Sequence, residues 1–202
     1  MTGSTLNMHY TIADPKTFGI SEYEPVLPIY HSDQPEDSKE HCSDLLHRLD
    51  RIDPDRLSPE NAYTYRLLHR SLENDLALAD FPYYNEPLSP SSGMQSQLPV
   101  LLAEYTFRTK RDVTDYLALL DQIDDYFASL LLYEQEKAAA GFFMPACSSE
   151  KVRKQCDTIV TTEELAQGTH FLQTTFEDRL SELQKQGLFT PEETASLIET
   201  HD

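Results

Sequence analysis

The chain has 202 residues and a mass of 23.1 kDa, which is one large domain or two small ones. Sixteen Lys and Arg against thirty-five Asp and Glu give a formal net charge of -19, which excludes nucleic-acid binding because so acidic a surface repels phosphate groups. No apolar run approaches the roughly 20 residues that cross a bilayer, so the sequence predicts a soluble chain without a membrane span.

The first 35 residues are predicted to form an irregular arm. Proline cannot continue a regular helix, and this segment contains Pro15, Pro25, Pro28 and Pro35. We therefore divide the chain into an extended N-terminal arm, residues 1–35, and a helical region, residues 36–202. The arm lacks the basic and apolar stretches of an export signal, so the compartment, exported or cytoplasmic, stays open.

The helical region gives the prediction that the protein is all-α. There are only six glycines, and most apolar positions recur at intervals of three and four. One helix should follow Pro35, and a second should begin at Ser58, a preferred N-cap residue, and end near Ala79. Residues 80–93 contain three prolines without a helical period, which predicts a structured loop.

The clearest predicted element is one long central helix between Thr109 and Gly141. Its apolar residues keep helical spacing from Val113 to Leu131, and glycine is a common helix stop. At 1.5 Å per residue the helix would be about 45 Å long. That length is typical of the wall of a larger helical protein. Two further helices are predicted, one capped by Ser149 and one ended by Gly187.

The last residues predict a short helix of two or three turns at the end of the chain. Thr190 and Glu193 have the spacing of a capping box, with Pro191 at the first helical position. Isolated helices of two or three turns are marginal without a partner. We expect the helical region to be an incomplete domain, truncated at its C-terminus.

No metal-binding or nucleophile motif is visible in the sequence. None of the seven histidines is followed by glutamate, so a His-Glu-x-x-His zinc helix is absent, as are the Gly-x-Ser-x-Gly elbow and the P-loop. The three cysteines form no Cys-x-x-Cys pair and are predicted to be free thiols. The longest basic cluster is Arg108, Lys110 and Arg111. We expect no cofactor in this chain.

Residues 86–105 concentrate hydrogen-bonding side chains beside an apolar run. A connector that uses serine and proline for its turns is one interpretation. A substrate-facing loop is the other, because long loops in helical proteins are often functional. The residues alone leave both interpretations open.

Three segments resemble the amino-terminal half of a bacterial family, domain of unknown function 885 (DUF885). They are NMHYTIADPKTFGI (residues 7–20), EPLSPSSGMQSQLPVLLAEY (residues 86–105) and EQEKAAAGFFMP (residues 134–145). The resemblance covers nearly all of the chain in the same order. Family members are much longer and are similar to zinc metallopeptidases of the thimet oligopeptidase and carboxypeptidase Taq type. These are all-helical proteins with a deep cleft, and their metal helix, with a His-Glu pair followed by Pro-Gly-His, lies in the carboxy-terminal half.

The resemblance implies that this chain is the non-metal-binding part of a zinc-dependent, peptidase-like hydrolase. It would form one wall of the substrate cleft and would not be catalytic alone. Its partners would be the missing C-terminal catalytic half, which would hold the zinc, and a peptide substrate. The implied substrate-positioning groups are the hydrogen-bonding residues Ser91, Ser92, Gln95 and Gln97, with Tyr105 and Phe107 as an apolar floor.

A second hypothesis is a self-contained acidic helical module that binds a basic protein partner. The two hypotheses differ in the surface they predict. A fragment should expose an apolar face larger than a few hundred Å² where its other half packs, whereas a self-contained module should not. Such an exposed seam would also allow a homodimer.

Overall fold

The described part of the chain is entirely helical. The structure, a computed structural model, describes residues 5–30 and 34–201. These residues contain no strand, which confirms the all-α prediction. The helices are α1 (Thr5–Thr11), α2 (Gln34–Leu49), α3 (Pro59–Leu78), α4 (Met94–Ala103), α5 (Lys110–Leu120), α6 (Ile123–Ala139), α7 (Ala146–Ile159), α8 (Thr162–Ala166), α9 (Phe171–Lys185) and α10 (Pro191–His201). None of these helices is both long enough and apolar enough to cross a bilayer.

The described residues form two compact units. Unit 1 contains residues 5–29, 86–130 and 143–201, and unit 2 contains residue 30, residues 34–85 and residues 131–142. The division into an arm and a truncated helical region, made from the sequence, stays a prediction. Within the proposed arm the structure has the short helix α1 and a 3₁₀ turn at Pro15–Phe18.

Unit 1 is built around a buried aromatic cluster. The rings of Phe107, Tyr116 and Phe176 lie with their centroids 5.4 to 5.7 Å apart. Tyr116 and Phe176 are stacked, and neither has any exposed surface. Helix α4 packs on α7 and α9, and α10 packs on α9. Burial of such large rings is the main source of stability expected for this unit.

Arg179 of α9 ties the end of α4 to this cluster. Its Nη1 donates hydrogen bonds to the carbonyl oxygens of Leu102, at 3.0 Å, and of Tyr105. The guanidinium lies 4.5 Å from the centroid of the Phe107 ring, and burial lowers its pKa. The last carbonyls of a helix have no partner inside the helix, so Arg179 supplies one and fixes the chain that follows α4.

Unit 2 contains a hairpin of two helices, α2 and α3, which pack on each other. The predicted cap of α3 is confirmed, since the Ser58 side chain accepts a hydrogen bond from the Asn61 N–H at 3.3 Å. No residue of α3 is buried. Its large apolar side chains Tyr63, Leu67 and Leu78 are each more than half exposed, at 59%, 54% and 57%.

The predicted single central helix is wrong in one respect, because it is interrupted by a turn at Asp121 and Gln122 between α5 and α6. The Gln122 side chain explains the break. Its Nε2 donates to the Ala118 carbonyl at 2.7 Å, competing with the backbone for the acceptor that a continuous helix would use. The same amide donates to the Pro25 carbonyl and accepts from the Leu27 N–H.

Three other predicted helix ends are confirmed by the structure, and one is wrong. Gly141 and Gly187 follow the ends of α6 and α9 with φ of 87° and 77°, as predicted for helix stops. The Thr190 capping box is confirmed by reciprocal bonds with Glu193. The prediction that Ser149 caps a helix is wrong. Helix α7 begins at Ala146, three residues before Ser149, and Pro145 is its N-cap residue.

Helix α4 was not predicted from the sequence. It contains Pro99, which removes one helical hydrogen bond and concealed the helical pattern. Leu98 and Leu102, four residues apart, are each only 1% exposed. Their burial on one face is what compensates for the missing bond.

Candidate functional site

The loop before α4 is a tight turn organised by Ser89. The Ser89 carbonyl accepts hydrogen bonds from the Gly93 N–H at 3.0 Å and from the Gln95 Nε2 at 2.7 Å. The Ser89 hydroxyl accepts from the Ser92 N–H and lies 3.2 Å from the Ser92 hydroxyl. The turn therefore has a fixed backbone in which Ser91 and Ser92 form the exposed tip.

Two glutamines lock this turn onto α7. Gln95 donates from Nε2 to the Gln155 Oε1 at 2.9 Å, and Gln155 donates in turn to the Pro90 carbonyl at 2.9 Å. Gln95 is only 3% exposed, and its Oε1 has no hydrogen-bond partner within the described part of the chain. A buried amide oxygen without a donor is costly, so Gln95 is held there by the packing of the turn.

Position 93 must be glycine because the Ser89 backbone and the Gln95 side chain pack directly against it. A Cβ at this position would lie 2.0 Å from Gln95 Oε1 and 2.2 Å from the Ser89 nitrogen. Real Cβ atoms do not approach other atoms so closely, and the Ser89 nitrogen belongs to the backbone. Only glycine therefore allows the turn to fold back on α4.

The structure places the six predicted substrate-positioning residues in three different environments. Ser91 and Ser92 are exposed at the tip of the turn, and Gln97 is exposed in the first turns of α4. Gln95 is buried in the glutamine lock. Tyr105 and Phe107 are buried in the aromatic cluster, with 0% and 8% of their surface exposed. The role of all six in binding substrate stays a prediction.

A cavity of about 340 Å³ lies beside the turn. Ser96 and Gln155 border it on the side of the turn, and Phe171 and Ile159 supply apolar surface. The remaining lining residues are Thr158 and Glu164. Gln155 could not be identified from the sequence, because it lies 60 residues from its partner Gln95 and belongs to no local motif.

A second polar group of unit 1 surrounds His9 of α1. The imidazole stacks on the Tyr105 ring with the centroids 3.8 Å apart, and its Nε2 accepts a hydrogen bond from Arg108 Nη1 at 3.2 Å. Burial lowers the pKa of His9 and raises the pKa of Tyr105. The Tyr105 hydroxyl is buried and makes no hydrogen bond to any described residue. No sequence pattern marked His9 for this position.

The described residues do not fit a zinc site. Among them, no three His, Cys, Asp or Glu side chains are grouped so as to hold a metal ion. His31 lies outside the described residues, and the side chain of His201 is also not described.

The sequence model of a family described as "Bacterial protein of unknown function (DUF885)" matches residues 16–199. No curated protein and no solved structure matches the chain.

Proposed function

This chain belongs to the bacterial DUF885 family, and from that membership we propose that it is the substrate-positioning, non-metal-binding part of a zinc-dependent, peptidase-like hydrolase. In this proposal the chain forms one wall of a substrate cleft and has no catalytic activity alone. In this proposal the zinc ligands belong to a carboxy-terminal catalytic half. The substrate is a peptide.

The fixed turn before α4 is the observation that supports this proposal. Its two serine side chains, Ser91 and Ser92, are exposed, while the backbone beneath them is held by Ser89, Gln95 and Gln155. A hydroxyl both donates and accepts hydrogen bonds, so two of them on a rigid turn suit the alternating N–H and C=O groups of a peptide. Groups that are already ordered before binding lose little entropy when they orient a substrate.

Reconstitution tests this proposal directly. The purified chain is compared with the same chain assembled with the carboxy-terminal half of a DUF885 protein that carries the His-Glu and Pro-Gly-His motifs. Zinc is measured by mass spectrometry, and hydrolysis is measured with quenched fluorescent peptides. We expect about one zinc per complex and peptide hydrolysis in the assembled sample only. Metal-dependent hydrolysis by the chain alone, or an inert assembled complex, contradicts the proposal.

Variants of the turn test the assigned role. In the assembled sample the double variant Ser91→Ala, Ser92→Ala should raise KM about tenfold with kcat nearly unchanged, since the hydroxyls would bind ground state and transition state alike. Ser149→Ala removes an exposed hydroxyl of α7 and serves as the matched control. An equal KM for all three proteins contradicts the role of the turn.

A further inference from the structure

A cavity of unit 1 lies between the segment after α1 and the start of α5. Its volume is about 460 Å³. Lys16, Arg108 and Arg111 all line it, which is an unusual concentration of cations in a chain of net charge -19. Its apolar surface includes Pro15 and Ile20.

Two of the three cations have no carboxylate partner. No described carboxylate lies within 4.0 Å of the side-chain nitrogens of Lys16 or Arg108. Arg108 is instead fixed by its 3.2 Å hydrogen bond to His9, which is neutral when it accepts this bond. Arg108 is thus held in place through His9, whose Nδ1 lies 3.8 Å from Asp112 Oδ1, without a direct ion pair of its own.

The other charges of the cavity are already engaged. Arg111 lies 3.4 Å from Asp115 Oδ2, donates to the Tyr23 carbonyl and stacks on the Tyr23 ring. The Asp112 carboxylate accepts hydrogen bonds from the backbone N–H groups of Arg108 and Thr109. Asp14, the second carboxylate of the lining, accepts from the Lys16 N–H. The backbone N–H groups of Arg108 and Thr109, just ahead of α5, are therefore satisfied by Asp112. Both carboxylates keep their charge, and Lys16 and Arg108 are the cations of the lining that no described carboxylate pairs.

We propose that this cavity binds the anionic group of a small organic acid or phosphate ester, with Lys16 and Arg108 holding the anion. A guanidinium binds two oxygens of a carboxylate or phosphate at once, and an ammonium adds a mobile point charge. The volume falls within the range of sites for small organic molecules, so the ligand has a body as well as a charge. Pro15, Ile20 and the Tyr23 ring provide the wall for that body. This proposal does not depend on the proposed peptidase function.

An NMR titration of the full chain distinguishes the anionic group from the body of the ligand. The probes are benzoate, phenyl phosphate and the uncharged benzamide. We expect saturable shifts for both anions, centred on residues 13–23 and 108–112, and binding of benzamide that is at least tenfold weaker. Tighter binding of phenyl phosphate than of benzoate assigns the ligand to the phosphate esters, and the reverse order assigns it to the carboxylic acids.

Charge-neutral variants separate a built site from general attraction. Lys16→Gln and Arg108→Gln should each weaken binding of the better anion by about tenfold. Lys154→Gln and Arg153→Gln, which remove exposed cations of α7, are the matched controls and should leave binding unchanged. Lys16 is exposed, so its variant stays informative even if Arg108→Gln misfolds. Equal affinity for benzamide, equal weakening by the α7 controls, or no saturable binding overturns the proposal.

Discussion

The two units use similar helices in different ways. In unit 1 the rings of Tyr116 and Phe176 are fully buried, whereas in unit 2 the large side chains of α3, such as Tyr63 and Leu67, are more than half exposed. Tyr63 and Leu67 lie beside the half-buried face of α3, which carries Tyr65, Leu72 and Leu76. The comparison teaches that periodicity identifies a helix, but not how many of its apolar side chains neighbouring elements cover.

Each unit also fixes its own part of the segment that follows α3. In unit 2 the Tyr133 hydroxyl donates to the Pro82 carbonyl at 2.9 Å, and Lys137 Nζ donates to the Asn85 carbonyl at 3.1 Å. In unit 1 the fixing groups are the amides of Gln95 and Gln155. Backbone carbonyls outside helices need donors, and both units supply them from helix side chains.

The largest expected effect concerns the difference in burial. Phe176→Ala in unit 1 should lower the free energy of unfolding by about 3–5 kcal/mol, because it leaves a cavity in the aromatic cluster. Leu67→Ala in unit 2 should change it by less than about 0.5 kcal/mol, since that side chain is mostly exposed. Urea unfolding measures both. A similar loss for the two variants would show that the α3 face is covered in solution.

The next effect concerns glycine. Gly93→Ala in unit 1 should cost about 3 kcal/mol, because the added methyl collides with backbone atoms of Ser89. Gly141→Ala in unit 2 meets open space and should cost only about 1–2 kcal/mol for its left-handed backbone. Thermal and urea unfolding give the order. A larger cost at Gly141 would mean that the turn at Gly93 is looser than described.

A smaller effect is expected from the side chains that fix the loop. Gln155→Leu removes one bond to Pro90 and one to Gln95, and should cost about 1–2 kcal/mol. It should speed amide hydrogen exchange at Ser92 and Gly93. Tyr133→Phe, its counterpart in unit 2, should cost about 1 kcal/mol and leave those amides unaffected. Faster exchange at Gly93 in Tyr133→Phe would contradict the claim that each unit holds its own part of the segment after α3 independently.

The smallest effect is a pH dependence that belongs to unit 1. Burial lowers the pKa of His9 from its ordinary value of 6.5 in the folded chain, so near that pH the unfolded chain binds more protons. The free energy of unfolding should therefore fall as the pH is lowered through 6.5, and level off below the folded pKa. His9→Gln should flatten this slope in a series of melting curves. An unchanged slope in the variant would assign the pH dependence to another group.

Glu193 adds a separate window at lower pH. Hydrogen bonds from Lys110 and from the Thr190 backbone lower its pKa below 4.5. Its contribution to stability is present above that value and is lost as the pH falls through the folded pKa. The contribution of Glu193 is thus lost at a lower pH than that at which the His9 effect begins.

The sequence predicted those features that depend on local chemistry. The Ser58 and Thr190 caps and the stop at Gly141 require only residues within one helical turn of the helix end, and all three are confirmed. The break between α5 and α6 was missed because the Gln122 side chain, which takes the Ala118 carbonyl, is held by Pro25 and Leu27, nearly a hundred residues away.

The candidate site was predictable only in part, because some of its features are local in the sequence and others depend on distant contacts. The serine-rich turn was visible as a cluster of turn-forming residues, and the structure places Ser91 and Ser92 exposed at its tip. The lock between Gln95 and Gln155 joins two helices distant in the sequence, so no local pattern reports it. The burial of Tyr105 likewise depends on its stacking with His9 of α1.

An NMR titration with a mixture of short unmodified peptides tests the proposed role of the turn most directly. The account predicts that amide signals of residues 89–97 shift and saturate, that the signals of α3 do not, and that the shifts disappear in the double variant Ser91→Ala, Ser92→Ala. Shifts confined to α3, or an unchanged response in the double variant, would contradict the claim that this turn positions the substrate.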